Sequence, residues 1–434
     1  MHDVLDIRDQ VPDEAEQLLH SGYSVADLLD RARAAATRAD NAGLADIRGE
    51  LAAVPRSDTW KYDEPSDSGT LLEIVSHLPS LPADPVEVPD RIHGAWLGRC
   101  VANTMGKPIE GLTRSEVGIY LRAAGQWPQT GYLPLLDPLP AGVSHLHESA
   151  PFASDGRFSD VPRDDDIDWT ILGLAMLEEH GRGLATEDIA AAWLDRLPFT
   201  QTFTAERIAY RNLVRGIPAA HAASVDNPYR EWIGALIRAD IFGYISPGQP
   251  AAAASLALVD ARLSHKANGI YGELWAAALV ASALATDSAT EALQVALAAI
   301  PDGSRLAESQ RMLLALHTAG TDAEGALAWI DEALGHYNWV HTVNNAALIA
   351  LGLLWGESFT GTVGLTISGG RDTDSAGATV GSVYGALHGS AAIPPALIGR
   401  THVRVRSAVR DFDRVSIQEL ADRTVRLTAL DGIQ

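Results

Sequence analysis

The 434-residue sequence has a single cysteine, Cys100, so no internal disulfide can form and the chain fits a reducing compartment. The residues around Cys100 are mostly apolar, which reads as a buried structural thiol. Basic residues are in the minority. Against 56 Asp and Glu stand 33 Lys and Arg, a formal charge of −23 that repels phosphate backbones and argues against nucleic-acid binding. Long apolar runs are missing as well: no stretch of ~18 uncharged apolar residues suggests a membrane span, and "MHDVLDIRDQVPDEAEQLLH" carries acids where a signal peptide has its apolar core. A cytoplasmic protein with no membrane partner is expected.

Strand-like alternation of β-branched residues is scarce, and no period of 20 to 50 residues marks a solenoid. What is present is alanine-rich sequence of helical length: "DIDWTILGLAMLEEHG", "TEDIAAAWLDRL", "YREWIGALIRADIFGY", "PAAAASLALVDARLSH", "YGELWAAALVASALA", "TEALQVALAAI" and "NNAALIALGLLWG". The expected fold class is all-α, a compact multi-helix domain with a small helical N-terminal extension, its central helices fully buried. Residues 1–85 read as the extension, with Ser24 placed to cap "VADLLDRA". Four prolines between residues 76 and 90 forbid continuous helix and set a boundary. The main domain spans 90–395, and 396–434 reads as a tail containing one amphipathic helix, "SIQELADRTVRLTAL".

Two acid clusters each precede an apolar helix: "PRDDDIDWTILGLAML", with Asp164, Asp165, Asp166 and Asp168, and "GGRDTDSAGATVGSVYGAL", with Asp372 and Asp374. Capping explains one or two aspartates. Three consecutive aspartates repel one another, and two such clusters together point to a shared cation. The candidate ligands Asp164, Asp165, Asp166, Asp372, Asp374 and Ser375 offer carboxylate and hydroxyl oxygens, which suit two hard ions, Mg²⁺ or Mn²⁺. A calcium loop fails at Ala376 and at Val383, where a bidentate glutamate is needed.

In "RIHGAWLGRCVANTMGKPIEGL", Gly106–Lys107 lacks the remainder of a P-loop, and on spacing alone Glu110 is a surface acid in a loop. His145, His147 and Glu148 of "SHLHES" read as solvated, and His265 as a helix-end histidine. Tyr337, Asn338, Trp339 and His341 mix flat faces with hydrogen-bonding groups that suit a sugar or base. Metalloprotease HExxH, GxSxG and Rossmann fingerprints are absent.

Taken in order, the glycine-patterned opening ending in Pro-x-Glu, the aspartate run before an apolar helix, and the late Gly-Gly and Asp-x-Asp followed by small residues resemble the ADP-ribosylglycohydrolase family over roughly residues 90–392. The resemblance implies an all-α fold holding two Mg²⁺ or Mn²⁺ ions and hydrolysis of an α-glycosidic bond at C1″ of a ribose. It assigns metal ligation to Asp164, Asp165, Asp166, Asp372, Asp374 and Ser375, and acid/base work to Glu110, with Asp166 next. It places Asn103, Gly234, Arg238 and His265 near the substrate and lets the backbone at Gly369 and Gly370 approach the ligand. Three departures concern the substrate more than the metal. Ala102–Asn103 replaces the family's Gly-Asp, Arg371 is inserted after the late glycines, and Ile167 replaces a threonine. With Arg371 at the rim and the aromatic cluster at 337–341, the expected partner is a small anionic ribosyl substrate. The alternatives are an all-α metal phosphohydrolase and a non-catalytic ribosyl-binding relative.

Overall fold

Helices Val88–Gly106 and Thr373–His388 lie against each other backbone to backbone, because glycines face glycines along the contact. A Cβ on Gly98 would lie 2.0 Å from the Gly381 carbonyl oxygen, and one on Gly385 would lie 2.0 Å from that of Gly94. Side chains of any size would push the axes apart. This crossing sits at the centre of an all-α fold in the computed structural model, which describes residues 5–428. Among the described residues the strands are one short antiparallel pair, Arg404–Val405 with Val415–Ser416.

Around the crossing pack helices Asp165–His180, Asn268–Ala283 and Thr342–Trp355. Every residue of Asn268–Ala283 is buried, as the apolar, alanine-rich sequence "YGELWAAALVASALA" demands. Cys100 is buried as expected, and burial pushes its thiol up to about 12. No helix among the described residues is long and apolar enough to cross a membrane.

Helices Ile7–His20, Ala26–Thr37 and Asn41–Ala53 share an apolar cluster of their own, including Val11, Leu29, Leu44, Ile47 and Leu51. Polar contacts join them to the rest of the fold. Gln17 Nε2 donates to Glu231 Oε1 at 2.8 Å, and Arg305, itself paired with Glu231 at 2.5 Å, donates through Nη1 to the His20 carbonyl at 2.9 Å. Ser24 is not a cap: helix Ala26–Thr37 starts after Val25 with no side-chain cap bond. In the proline-rich segment, Leu81 N donates to the Gly248 carbonyl at 2.8 Å.

The stretch 229–244 does not form the continuous helix its periodicity suggests. It is irregular up to a single 3₁₀ turn, Leu236–Arg238, and a short helix, Asp240–Tyr244. Ile233 N bonds across to the Val340 carbonyl at 2.9 Å, and Trp232 bridges to His341, so these backbone groups are used between segments instead of along a helix. The last helix, Ile417–Thr428, docks on Val88–Gly106, where Trp96 Nε1 donates to Thr424 Oγ1 at 3.1 Å. The remaining residues of the expected tail helix, and the first four of the chain, lie outside the described residues.

Candidate metal centre and cavity

The first aspartate cluster divides its labour. Asp164 caps helix Asp165–His180 by accepting from Asp166 N at 3.0 Å. Asp168 turns the other way: its Oδ2 accepts from Arg163 Nε at 2.7 Å, and its Oδ1 accepts from Ser407 Oγ at 2.6 Å and Ala408 N at 3.0 Å, tying the helix start to the C-terminal segment. Asp165 and Asp166 have no share in these duties.

The second cluster enters through a tight turn in which Gly370 and Arg371 both take left-handed backbone, at φ +67° and +69°. A Cβ on Gly370 would lie 2.6 Å from Leu112 O and from Arg114 N. Gly369 is equally constrained by Leu348. These glycines therefore admit neighbouring chain, not a ligand as expected. Asp372 stands at the N-cap of helix Thr373–His388 without making a side-chain cap bond to its backbone.

Between the clusters comes the end of the opening helix. Lys107 Nζ lies 2.7 Å from Glu110 Oε2, 2.6 Å from Asp164 Oδ2 and 2.7 Å from Asp374 Oδ2. Asn103 Nδ2 donates to Asp164 Oδ1 at 3.0 Å and to Asp166 Oδ2 at 2.9 Å, and Ser375 Oγ donates to Asp166 Oδ1 at 3.0 Å. Two groups of three carboxylates, Glu110 with Asp372 and Asp374, and Asp164 with Asp166 and Asp374, have ligand oxygens within 4.8 Å of one another.

Charge inside this cluster is out of balance. Burial pushes the carboxyls of Glu110, Asp166 and Asp372 well above the usual range, with Asp374 adding to the shift of Glu110 and of Asp372, and Asp164 to that of Asp166. Burial, with the Asp164 charge behind it, lifts Asp165 to about 7. Asp164 is the exception: burial opposes its ionisation, but the Lys107 ammonium outweighs burial and holds the carboxyl down to about 2. Asp374 Oδ1 is buried with no hydrogen-bond partner. Oxygen donors alone, a partnerless buried carboxylate oxygen and a surplus of acid are the properties of a hard-cation site, so the residues present fit a divalent ion.

A cavity of ≈ 460 Å³ opens onto these groups. Lys107, Glu110, Asp165, Asp372, Asp374 and Ser375 line one wall, and the others are formed by the 145–148 loop, Phe203, Thr204, Glu206, Gly234, Trp339 and Val340. The volume suits a small-molecule site. The model of the family described as ADP-ribosylglycohydrolase matches residues 84–433. The chain belongs to the ADP-ribosylglycohydrolase family. Its match extends through the segment after residue 392, which the motifs alone left outside. A solved structure described as an "ADP-ribosylglycohydrolase-related protein complex" is similar at 20% identity, over 79% of this chain and 99% of that one, with a TM-score of 0.46. No curated protein matches the sequence.

Within this ADP-ribosylglycohydrolase fold several expected site residues sit elsewhere. Asp166 is behind the cavity wall, its oxygens held by Asn103 and Ser375, as is Asn103 itself. Arg238 is 2% exposed and does not line the cavity: its guanidinium pairs with Glu206, with Asp260 at 2.6 Å and with Glu273 at 3.6 Å, and lies against the rings of Trp169 and Trp193. Gly234 does line the cavity, and a Cβ there would lie 2.2 Å from Glu206 Oε1. His265 is fully buried and bonded to Ser264 Oγ at 2.8 Å.

His341 caps helix Thr342–Trp355, its Nδ1 accepting from Val343 N at 3.2 Å, and Asn338 closes the preceding turn. Tyr337 faces a second cavity of ≈ 680 Å³, shared with His20, Trp60 and Tyr62. Arg371 pairs with Asp331 at 2.9 Å instead of standing free at the rim. Conversely, the loop residues His145, His147 and Glu148, read as solvated, form part of the cavity, and His147 Nδ1 lies 3.3 Å from Glu110 Oε2. Lys107 was dismissed with the P-loop. No local signal reveals that its ammonium meets carboxylates more than 50 and more than 250 positions away.

Proposed function

We propose that this protein is a divalent-cation-dependent hydrolase that cleaves an α-glycosidic bond at C1″ of the ribose in an ADP-ribosyl or related ribosyl substrate, with Mg²⁺ or Mn²⁺ as the cation. The observation that carries the reading is the meeting, on one cavity wall, of two acid clusters some 200 positions apart, with Asp374 Oδ1 left without a partner. Asp372 and Asp374 are the residues that would hold the cation from the cavity side, with the Glu110 carboxylate beside it. A bound divalent cation supplies electrostatic polarisation of sugar hydroxyls and water. Asp165, Ser375, Trp339 and the 145–148 loop enclose and orient the ribosyl group.

Glu110 is the carboxylate placed to take a proton from the attacking water. Its Oε2 is fixed by Lys107, which leaves Oε1 as the accepting atom. Water oxygen bonds to C1″, the bond from C1″ to the aglycone breaks, and the proton passes to the departing atom, so one water is consumed. The expectation of a small substrate now rests on the cavity volume and the acidic surface, since Arg371 and Tyr337 are engaged elsewhere. A reducing cytoplasm is the compartment we assign.

The test is product analysis with ADP-ribosyl and smaller ribosyl conjugates in Mg²⁺ or Mn²⁺. A free reducing ribosyl sugar is expected. Release of inorganic phosphate in its place would move the protein to the phosphohydrolases, and tight ribosyl binding without turnover would make it a binding relative.

A further inference from the structure

The two carboxylate groups share Asp374 but differ in what the chain already supplies to them. The inner group is Asp164, Asp166 and Asp374. Asp164 Oδ1 accepts from Asn103 and its Oδ2 lies 2.6 Å from the Lys107 ammonium, Asn103 and Ser375 take the two oxygens of Asp166, and neither aspartate lines the cavity. The Lys107 ammonium, also 2.7 Å from Asp374 Oδ2, stands where an inner ion would need to approach. Its backbone cannot easily swing away, because a Cβ on the preceding Gly106 would lie 2.2 Å from the Thr373 carbonyl oxygen. An inner ion would have to share Asp164 and Asp374 with a like charge at contact distance in a buried site, where repulsion is poorly screened.

The outer group is Glu110, Asp372 and Asp374. All three line the cavity; Lys107 holds one oxygen each of Glu110 and Asp374, at 2.7 Å, but Asp372 has no ion pair with it and makes no cap bond, and Asp374 Oδ1 is buried without a partner. We propose that Lys107 and Asn103 close the inner position to metal, so that this chain holds one divalent cation, at the outer position, beside a built-in ammonium. Asn103 contributes because an amide donates to both aspartates, whereas a carboxylate in its place would repel them and demand a cation. The proposal deepens the metal-dependent reading above and replaces its expected pair of ions with one.

The experiment loads the full-length protein with Mn²⁺, removes the excess, counts the metal by elemental analysis and records its electron paramagnetic resonance spectrum. One Mn²⁺ per chain with the six-line signal of an isolated ion is expected, lost in Asp372→Asn and retained in Asp166→Asn. Two ions per wild-type chain with a spin-coupled signal overturn the proposal, as does a single ion with the opposite response to those two substitutions. The double variant Lys107→Met/Asn103→Asp should rise to two coupled ions, and a folded double variant that stays at one overturns the roles given to Lys107 and Asn103. Zero ions in the wild type overturns the proposal together with the cation dependence of the activity. Ribosyl release, measured separately, distinguishes that failure from a wrong substrate class.

Discussion

Glu110 is where position and chemistry meet: one oxygen is held by Lys107, and the side chain opens onto the cavity beside His147. A glutamine there keeps the size of the side chain and one carbonyl oxygen and loses the ability to take a proton. Glu110→Gln should therefore lower kcat by roughly 10²–10⁴, the scale of general acid/base catalysis, while a metal-dependent rise in Tm persists. Activity within a few-fold of wild type would remove Glu110 from the chemistry. At this scale the acid runs were legible from their position before apolar helices. Arg238 was not, since a motif resemblance carries a residue type without the ion pairs with Glu206, Asp260 and Glu273 that occupy it. Lys107 and His147 were not legible either, because their roles depend on contacts between distant segments.

Helix crossing sets the distance between the opening motif and the second acid cluster. At Gly381 a methyl group would lie 2.3 Å from the Gly98 carbonyl oxygen, a contact no rotamer relieves. Gly381→Ala should destabilise the protein by about 1–3 kcal/mol or more, the range for overpacked cores. It should also weaken Mn²⁺ binding by shifting Asp374 relative to Glu110. Gly183→Ala, exposed and with nothing within 4 Å of the added carbon, should stay within about 0.5 kcal/mol of wild type. Chemical denaturation and Mn²⁺ titration of both variants check this. Equal stability of the two would show that the crossing yields. Helical periodicity predicted the long helices because each buries a face or is buried whole. It misjudged 229–244, where backbone bonds to Val340 and His341 override an apolar pattern.

For the molecule as a whole, the N-terminal helices meet the rest of the fold through groups that titrate. Burial pushes His20 down to about 4, helped by His336, Arg305 and Arg33 and opposed by Glu231. Burial raises Glu231, but Arg305, His341 and the Asn268 hydrogen bond outweigh it and hold the carboxyl down to about 2. Both folded values lie below the ordinary 6.5 and 4.5, so each group contributes stability that is full above its ordinary value and is lost as pH falls towards the folded one. Between pH 7 and pH 4, amide exchange in helix Ile7–His20, corrected for intrinsic rates, should accelerate relative to the fully buried Asn268–Ala283. An unchanged ratio would show that docking does not titrate. The bond from Ser407 to Asp168 has a consequence for the order in which the protein is made. One cavity wall needs residues near 107, 165 and 374, and the start of the first acid helix is anchored by a residue later than all of them. A chain still emerging from the ribosome has carboxylates but no assembled place for them until the residues near 374 have been made and Ser407 has followed to anchor the helix start.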